Sequence, residues 1–198
     1  MKHFVLDLET LGTSRNSVVC AIGVQTINPM ASDGMGPSFY QILPDWEEQE
    51  KLGRKIDSNT VKWWLKQALT NPGAAQELLP QPTPGAVLRP DTYSILAELG
   101  RFIRDCAPDP EQREVWGNSS SFDNEILRSL YEDYNIVPAW TFRQDRCYRT
   151  MRELYKAKYP AAIEAFNENK GTLHHALEDA KYEARILYFI LTELGLLC

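Results

Sequence analysis

The apolar run Phe4-Val5-Leu6-Asp7-Leu8-Glu9 carries two carboxylates at i and i+2. Successive side chains of a strand point to opposite faces, so Phe4, Leu6 and Leu8 share one side and Val5, Asp7 and Glu9 the other. Two like charges side by side on an otherwise apolar strand raise a carboxyl pKa or require a cation. A hard divalent ion with oxygen ligands meets that need, although a solvated face on an edge strand produces the same pattern. A third acid, Asp123, follows Trp116-Gly117-Asn118-Ser119-Ser120-Ser121-Phe122 and falls in the first turn of a predicted helix. Unpaired N–H groups and the helix dipole keep it ionised there, which also makes such acids common as plain helix stabilisers. The fourth lies in His174-His175-Ala176-Leu177-Glu178-Asp179-Ala180, which holds two of the three histidines. His175 and Asp179 are i and i+4 on one helical face, a spacing that nominates them as a pair. His174 falls one residue earlier, in the cap or loop, where its ring is independent of that face.

Cations and aromatic rings form a second group. Arg143, Arg146, Arg149 and Arg152 recur every third residue, and residues 143–158 hold six positive and two negative side chains. On a helix these arginines cover about half the circumference. They suit a nucleic-acid backbone, or a solvated face with Asp145–Arg149 and Arg149–Glu153 paired at i, i+4. Trp63 and Trp64 are adjacent on a predicted helix and cannot both face one core: either one packs inward and the other faces a cleft, or both are semi-buried.

The elements that must position these groups follow from periodicity and punctuation. Strands are predicted at residues 4–9, 18–27 and 39–43, joined by short turns. A helix capped by Asp57-Ser58 ends at Asn71-Pro72-Gly73. Residues 72–90 hold five of the 12 prolines and read as a long surface loop. A helix over 95–103, a strand at 115–116, an amphipathic helix over 122–131, a strand at 139–142, a helix over 147–155 and a long helix from about 174 to 194 complete the chain. The order predicts one α/β domain over residues 1–198, a mixed sheet with helices on its faces.

Composition narrows the classes. The 198 residues carry 21 Lys+Arg against 27 Asp+Glu, a net charge of −6. That balance argues against a general polyanion binder. The amino terminus reaches Asp7 before any apolar signal core forms, and no stretch supplies the ~20 apolar residues of a membrane span. Four scattered cysteines, with no C-x-x-C pair, predict reduced thiols in a cytoplasmic setting and no zinc site.

Taken together and in this order, Asp7-Leu8-Glu9-Thr10, the strand-to-helix segment Trp116-Gly117-Asn118 to Phe122-Asp123-Asn124, and His174-His175-Ala176-Leu177-Glu178-Asp179-Ala180 match one pattern. The chain resembles the DnaQ-like 3′→5′ exonucleases of the DEDDh type, a branch of the ribonuclease-H-like superfamily, with its nearest likeness to exodeoxyribonuclease VIII-like and phage-type members. The resemblance spans the chain apart from residues 72–90. It implies two Mg²⁺ (or Mn²⁺) ions on Asp7, Glu9, Asp123 and Asp179, and a general base at His174, five residues before the last aspartate. It further implies a terminal-nucleotide pocket around Thr10, Leu11 and Gly12, with Leu11 packing on the last base. Trp63, Asn118, Phe122, Arg143, Arg146 and Arg149 are the remaining candidates for holding substrate. The expected partner is the 3′ end of single-stranded or frayed nucleic acid, DNA ahead of RNA; the alternatives are an exoribonuclease or short-oligonucleotide hydrolase, and a silent binding module of the same fold. A homodimer is compatible with the sequence, which does not specify oligomeric state. Setting the four metal-site acids aside leaves 23 acids against 21 bases, a balance suited to gripping a few nucleotides at an end.

Overall fold

The computed structural model describes residues 1–71, 78, 90–167 and 174–197. Nearly all of the proline-rich stretch 72–90 lies outside them. Five strands, β1 (Lys2–Thr10), β2 (Val19–Ile27), β3 (Met35–Ile42), β4 (Arg113–Gly117) and β5 (Asp145–Cys147), form one sheet in the order β3-β2-β1-β4-β5. β1 pairs antiparallel with β2 and parallel with β4, and β4 pairs parallel with β5. The sheet is therefore mixed, with β1 at its centre.

Among the described residues seven α-helices flank it: α1 (Trp46–Lys51), α2 (Ser58–Thr70), α3 (Thr92–Cys106), α4 (Glu125–Asp133), α5 (Tyr148–Lys158), α6 (Pro160–Asn167) and α7 (Ala176–Glu193). The alternation of β1 sorts its side chains as predicted. Phe4, Leu6 and Leu8 pack with Ile95, Leu96 and Leu99 of α3 and with Ile126, Leu127 and Leu130 of α4. Val5 packs on the other face with Trp116, Tyr148 of α5 and Leu187 and Ile190 of α7. A third cluster, Leu11, Val18, Cys20 and Trp64, closes the end of β1 under α2. Aspartate caps start two of the helices: Asp57 accepts from the Thr60 N–H at 2.8 Å and Asp91 from the Ser94 N–H at 2.7 Å, each satisfying an orphan donor of a first turn.

Three features differ from expectation. Residues 139–142 are not a strand. Ala139 and Trp140 are buried as irregular chain, a 3₁₀ turn spans Phe142–Gln144, and the strand comes next, at Asp145–Cys147. Apolar content there reflects core burial, with the Trp140 indole N–H donating to Asp145 at 3.0 Å. The short helices α1 and α6 lie where periodicity predicts none, although Pro160 opens α6 at a position where a missing N–H costs nothing. Asp123 lies on a π-helical turn, Ser120–Asn124, that leads into α4.

Candidate active site

Two glycines shape the site. Gly23 of β2 stands opposite Asp7 of β1. A Cβ on Gly23 would lie 2.2 Å from the Ala176 carbonyl carbon, so the bare backbone lets the first turn of α7 rest on the sheet. Asp179 thereby reaches β1, and carboxylate oxygens of Asp7, Glu9 and Asp179 lie within 4.8 Å of one another. Gly117, at the end of β4, does the same for the π turn. A Cβ there would sit 2.9 Å from the Asp123 Cβ and 2.3 Å from Asn124 Oδ1. The turn is held down by Asn124, whose amide donates to the Val115 carbonyl and to Asp145, both at 2.9 Å. Asp145 also receives Arg128 at 2.6 Å and so ties the turn to α4.

The acids are desolvated and crowd one another. Burial, followed by the charges of Glu9, Asp123, Glu183 and Asp179, holds the Asp7 carboxyl well above the usual carboxylate range. Burial pushes Asp123 up to about 7, against the pull of nearby backbone groups and of Arg149. Asp123 is 2% exposed, and its Oδ2 accepts no hydrogen bond among the described residues. An acceptor withdrawn from water with no donor costs about 1–3 kcal/mol, and a hard divalent cation held among these acids would supply the missing partner. The donor set is all oxygen, so the residues present fit Mg²⁺ or Mn²⁺.

The histidines are separated by the cap of α7. His175 is the N-cap residue and its ring stacks on Tyr40 of β3, 4.8 Å away. His174 precedes it with φ at +61°, in the left-handed region. Its backbone N–H donates to Asp179 Oδ2 at 2.9 Å, which offsets the strain of that conformation. Its ring meets those of Trp63 at 4.7 Å and Trp64 at 6.0 Å, both edge-on. The base candidate therefore stands on the α2 side of the acids, and His175 is held over β3.

A cavity of about 670 Å³ opens there, lined by Glu9, Thr10, Gly12, Trp63, Trp64 and Phe122 among others. Trp64 is 2% exposed and donates its indole N–H to the Thr10 carbonyl at 2.9 Å, fixing α2 to the end of β1. Trp63 is 41% exposed and lines the opening. Thr10 uses its hydroxyl on the Gly12 carbonyl at 2.7 Å. Leu11 is 3% exposed and packs against Val18, Cys20 and Trp64, so its side chain is turned into the core and away from a base. The arginines divide similarly. Arg149 donates to the Asn118 carbonyl at 2.8 Å and to its side-chain oxygen at 3.3 Å. Arg146 pairs with Glu114 at 3.0 Å, and Arg143 lies over the exposed Phe142 ring at 5.8 Å, so both are engaged away from the acids. Asn118 spends its amide on Glu183 at 2.6 Å. Glu183, buried and close enough for its charge to act on Asp7, is the site residue that sequence reasoning missed. Its one signal is the i+4 spacing from Asp179 on α7.

A mixed sheet of this order, with acids gathered toward the carboxyl ends of its central parallel strands, is the ribonuclease-H-like architecture of the DnaQ-like 3′–5′ exonucleases. The chain belongs to the 3′-5′ exoribonuclease Rv2179c-like domain family, whose model matches residues 2–191. It is 25% identical over 138 residues to an exodeoxyribonuclease of Enterobacteria phage T4, a match covering 67% of this chain and 57% of that protein. In structure it is similar to cell-death related nuclease 4 (CRN-4), with a TM-score of 0.63 and 16% identity over 98% of this chain and 64% of that one. It is also similar to E. coli Exonuclease I in complex with a dA16 oligonucleotide, with a TM-score of 0.60 and 14% identity over 96% of this chain and 41% of that one. The chain thus spans less than two thirds of the length of each of these relatives. Among the described residues no helix is long and apolar enough to cross a membrane.

Proposed function

We propose that this chain is a metal-dependent 3′–5′ exonuclease that removes nucleotides from the 3′ end of single-stranded or frayed nucleic acid. The observation that carries this reading is the convergence of Asp7, Glu9 and Asp179 within 4.8 Å, with Glu9 also lining the aromatic cavity. That cavity takes the terminal nucleoside, with Trp63 and Phe122 offering faces for the base and Trp64 fixing the wall. Asp7, Glu9, Asp123 and Asp179 would hold two Mg²⁺ or Mn²⁺ ions, which would neutralise the acids and withdraw charge from the oxygens of the scissile phosphodiester. His174 accepts the proton of the attacking water, a role for which imidazole is the commonest side chain. Trp63 and Trp64 border its ring and limit its travel, while the bond from its backbone N–H to Asp179 keeps it beside the acids.

DNA is the first substrate proposed. The family description names exoribonuclease activity, which favours RNA as the second. One experiment tests both: 5′-labelled and 3′-labelled oligonucleotides, as DNA and as RNA, are incubated with Mg²⁺, Mn²⁺ or EDTA. The 5′ label should yield a descending ladder and the 3′ label immediate release of a mononucleotide, only with metal. No metal-dependent shortening of any substrate would overturn the enzyme reading and leave a binding module.

A further inference from the structure

A second cavity, of about 380 Å³, opens between α5 and α7, lined by Asn118, Tyr148, Arg149, Arg152, Tyr182 and Glu183 among others. The acids separate it from the first cavity: Glu9 lines one, Glu183 lines the other, and Asp7 feels the charge of both. Its chemistry differs from that of the aromatic cavity. Arg149 is exposed, and its Nε and Nη2 are committed to Asn118. That double contact fixes the guanidinium plane at the cavity wall. Arg152 stands one turn further along α5 and contacts Glu153 at 2.8 Å. Beside them, Tyr148 is 2% exposed and its hydroxyl makes no hydrogen bond among the described residues. A hydroxyl buried without a partner costs about 1–3 kcal/mol, and an oxygen-rich ligand in this cavity relieves it.

We propose that this cavity is a phosphodiester subsite for the strand on the 5′ side of the scissile bond, with Arg149 and Arg152 as its cations and Tyr148 as its buried donor. The assignment rests on the exonuclease reading for the direction of the strand. A terminal nucleoside in the aromatic cavity places the scissile phosphate over the acids, and the strand then continues toward α5. Fixed guanidinium forks suit phosphate oxygens better than a mobile ammonium does. Glu153 is paired with Arg152, and Glu183 accepts a hydrogen bond from the Asn118 amide on one of its oxygens. The subsite makes the protein a length-sensing enzyme: a dinucleotide reaches the acids and the aromatic cavity only, whereas a hexanucleotide also spans the arginines.

The test measures binding and turnover separately. Arg149→Gln and Arg152→Gln are compared with wild type on single-stranded oligonucleotides of two to eight nucleotides with Mn²⁺. Each variant should lower the ratio of kcat/KM for the hexamer to that for the dimer at least tenfold, through KM. In EDTA, fluorescence anisotropy of a labelled hexamer should show weaker binding. The slope of log affinity against log salt should shrink by about 0.7 for each phosphate that the variant no longer neutralises. An unchanged length ratio together with unchanged hexamer affinity and salt slope would overturn the subsite. If wild type shortens nothing, the exonuclease reading falls and the anisotropy comparison alone still decides whether the arginines hold a strand.

Discussion

Gly23 faces Asp7 across the β1–β2 ladder, and the hydrogen atom that serves as its side chain leaves room for the Ala176 backbone. Any side chain at Gly23 must push α7 off the sheet and carry Asp179 away from Asp7. Gly23→Ala should cost about 1–3 kcal/mol of stability by overpacking and should weaken Mn²⁺ binding, read by calorimetric titration. Gly100→Ala is the control. Its new methyl meets only the far end of the Arg104 side chain, at 3.3 Å, and it should be neutral or stabilising because alanine is the better helix former. Mn²⁺ affinity unchanged in Gly23→Ala would refute the proposed role of the glycine.

Asp7 and Asp123 carry raised carboxyl pKa values in the metal-free fold. A raised folded value means that the native state holds the proton more tightly than the unfolded chain. The resulting stability is fully present below the ordinary carboxylate value and is lost as pH climbs through the folded value, about 7 for Asp123. The metal-free melting temperature should therefore fall between about pH 4 and 7, with an effect on the order of a few kcal/mol. Asp7→Asn should abolish turnover and leave the metal-free protein at pH 7 as stable as wild type or more so. Adding Mn²⁺ to wild type should raise Tm more at pH 8 than at pH 5. A large loss of metal-free Tm in Asp7→Asn would identify Asp7 as structural instead.

His174→Ala should lower kcat by roughly 10²- to 10⁴-fold, the range of a lost general base, with Mn²⁺ stoichiometry unchanged. His175→Ala removes the ring stacked on Tyr40 and should act mainly on Tm, with less than about a tenfold change in kcat. The reverse pattern would move the base to His175.

The adjacent tryptophans should separate cleanly. Trp64→Ala empties a buried site and strands the Thr10 carbonyl, at a cost of about 3–5 kcal/mol. Trp63→Ala removes a half-exposed ring at the cavity mouth and should raise KM for an oligonucleotide several-fold with little change in Tm. Equal effects on KM and Tm in both variants would show that the cavity is not where the terminal nucleoside sits.

The local patterns of this sequence translate directly into structure. The two-residue alternation of β1 places Asp7 and Glu9 on one face because the strand is central and both its faces are packed. The helical repeat places Asp179 in the first turn of α7, and the cap logic puts His174 outside the helix. What could not be read depends on partners distant in sequence. Leu11 follows a strand with no periodicity to orient it, and only the arrival of Trp64 turns it into the core. Arg146 repeats at the same interval as Arg149, yet Glu114 claims one and Asn118 the other. Ala139 and Trp140 have the apolarity of a strand, and burial against Tyr131 supplies the same selection without one. Glu183 is silent in the sequence because a lone acid four residues along a helix is ordinary until Asn118 and Asp7 are brought beside it.

The seating of α7 on Gly23 also sets the order in which competence is acquired during synthesis. Asp7, Glu9 and Asp123 are translated early, but the carboxylate that completes the cluster arrives with α7, after every other strand and helix described above. A nascent chain still emerging from a ribosome therefore carries only part of the Asp7, Glu9 and Asp179 cluster until α7 has docked on the sheet.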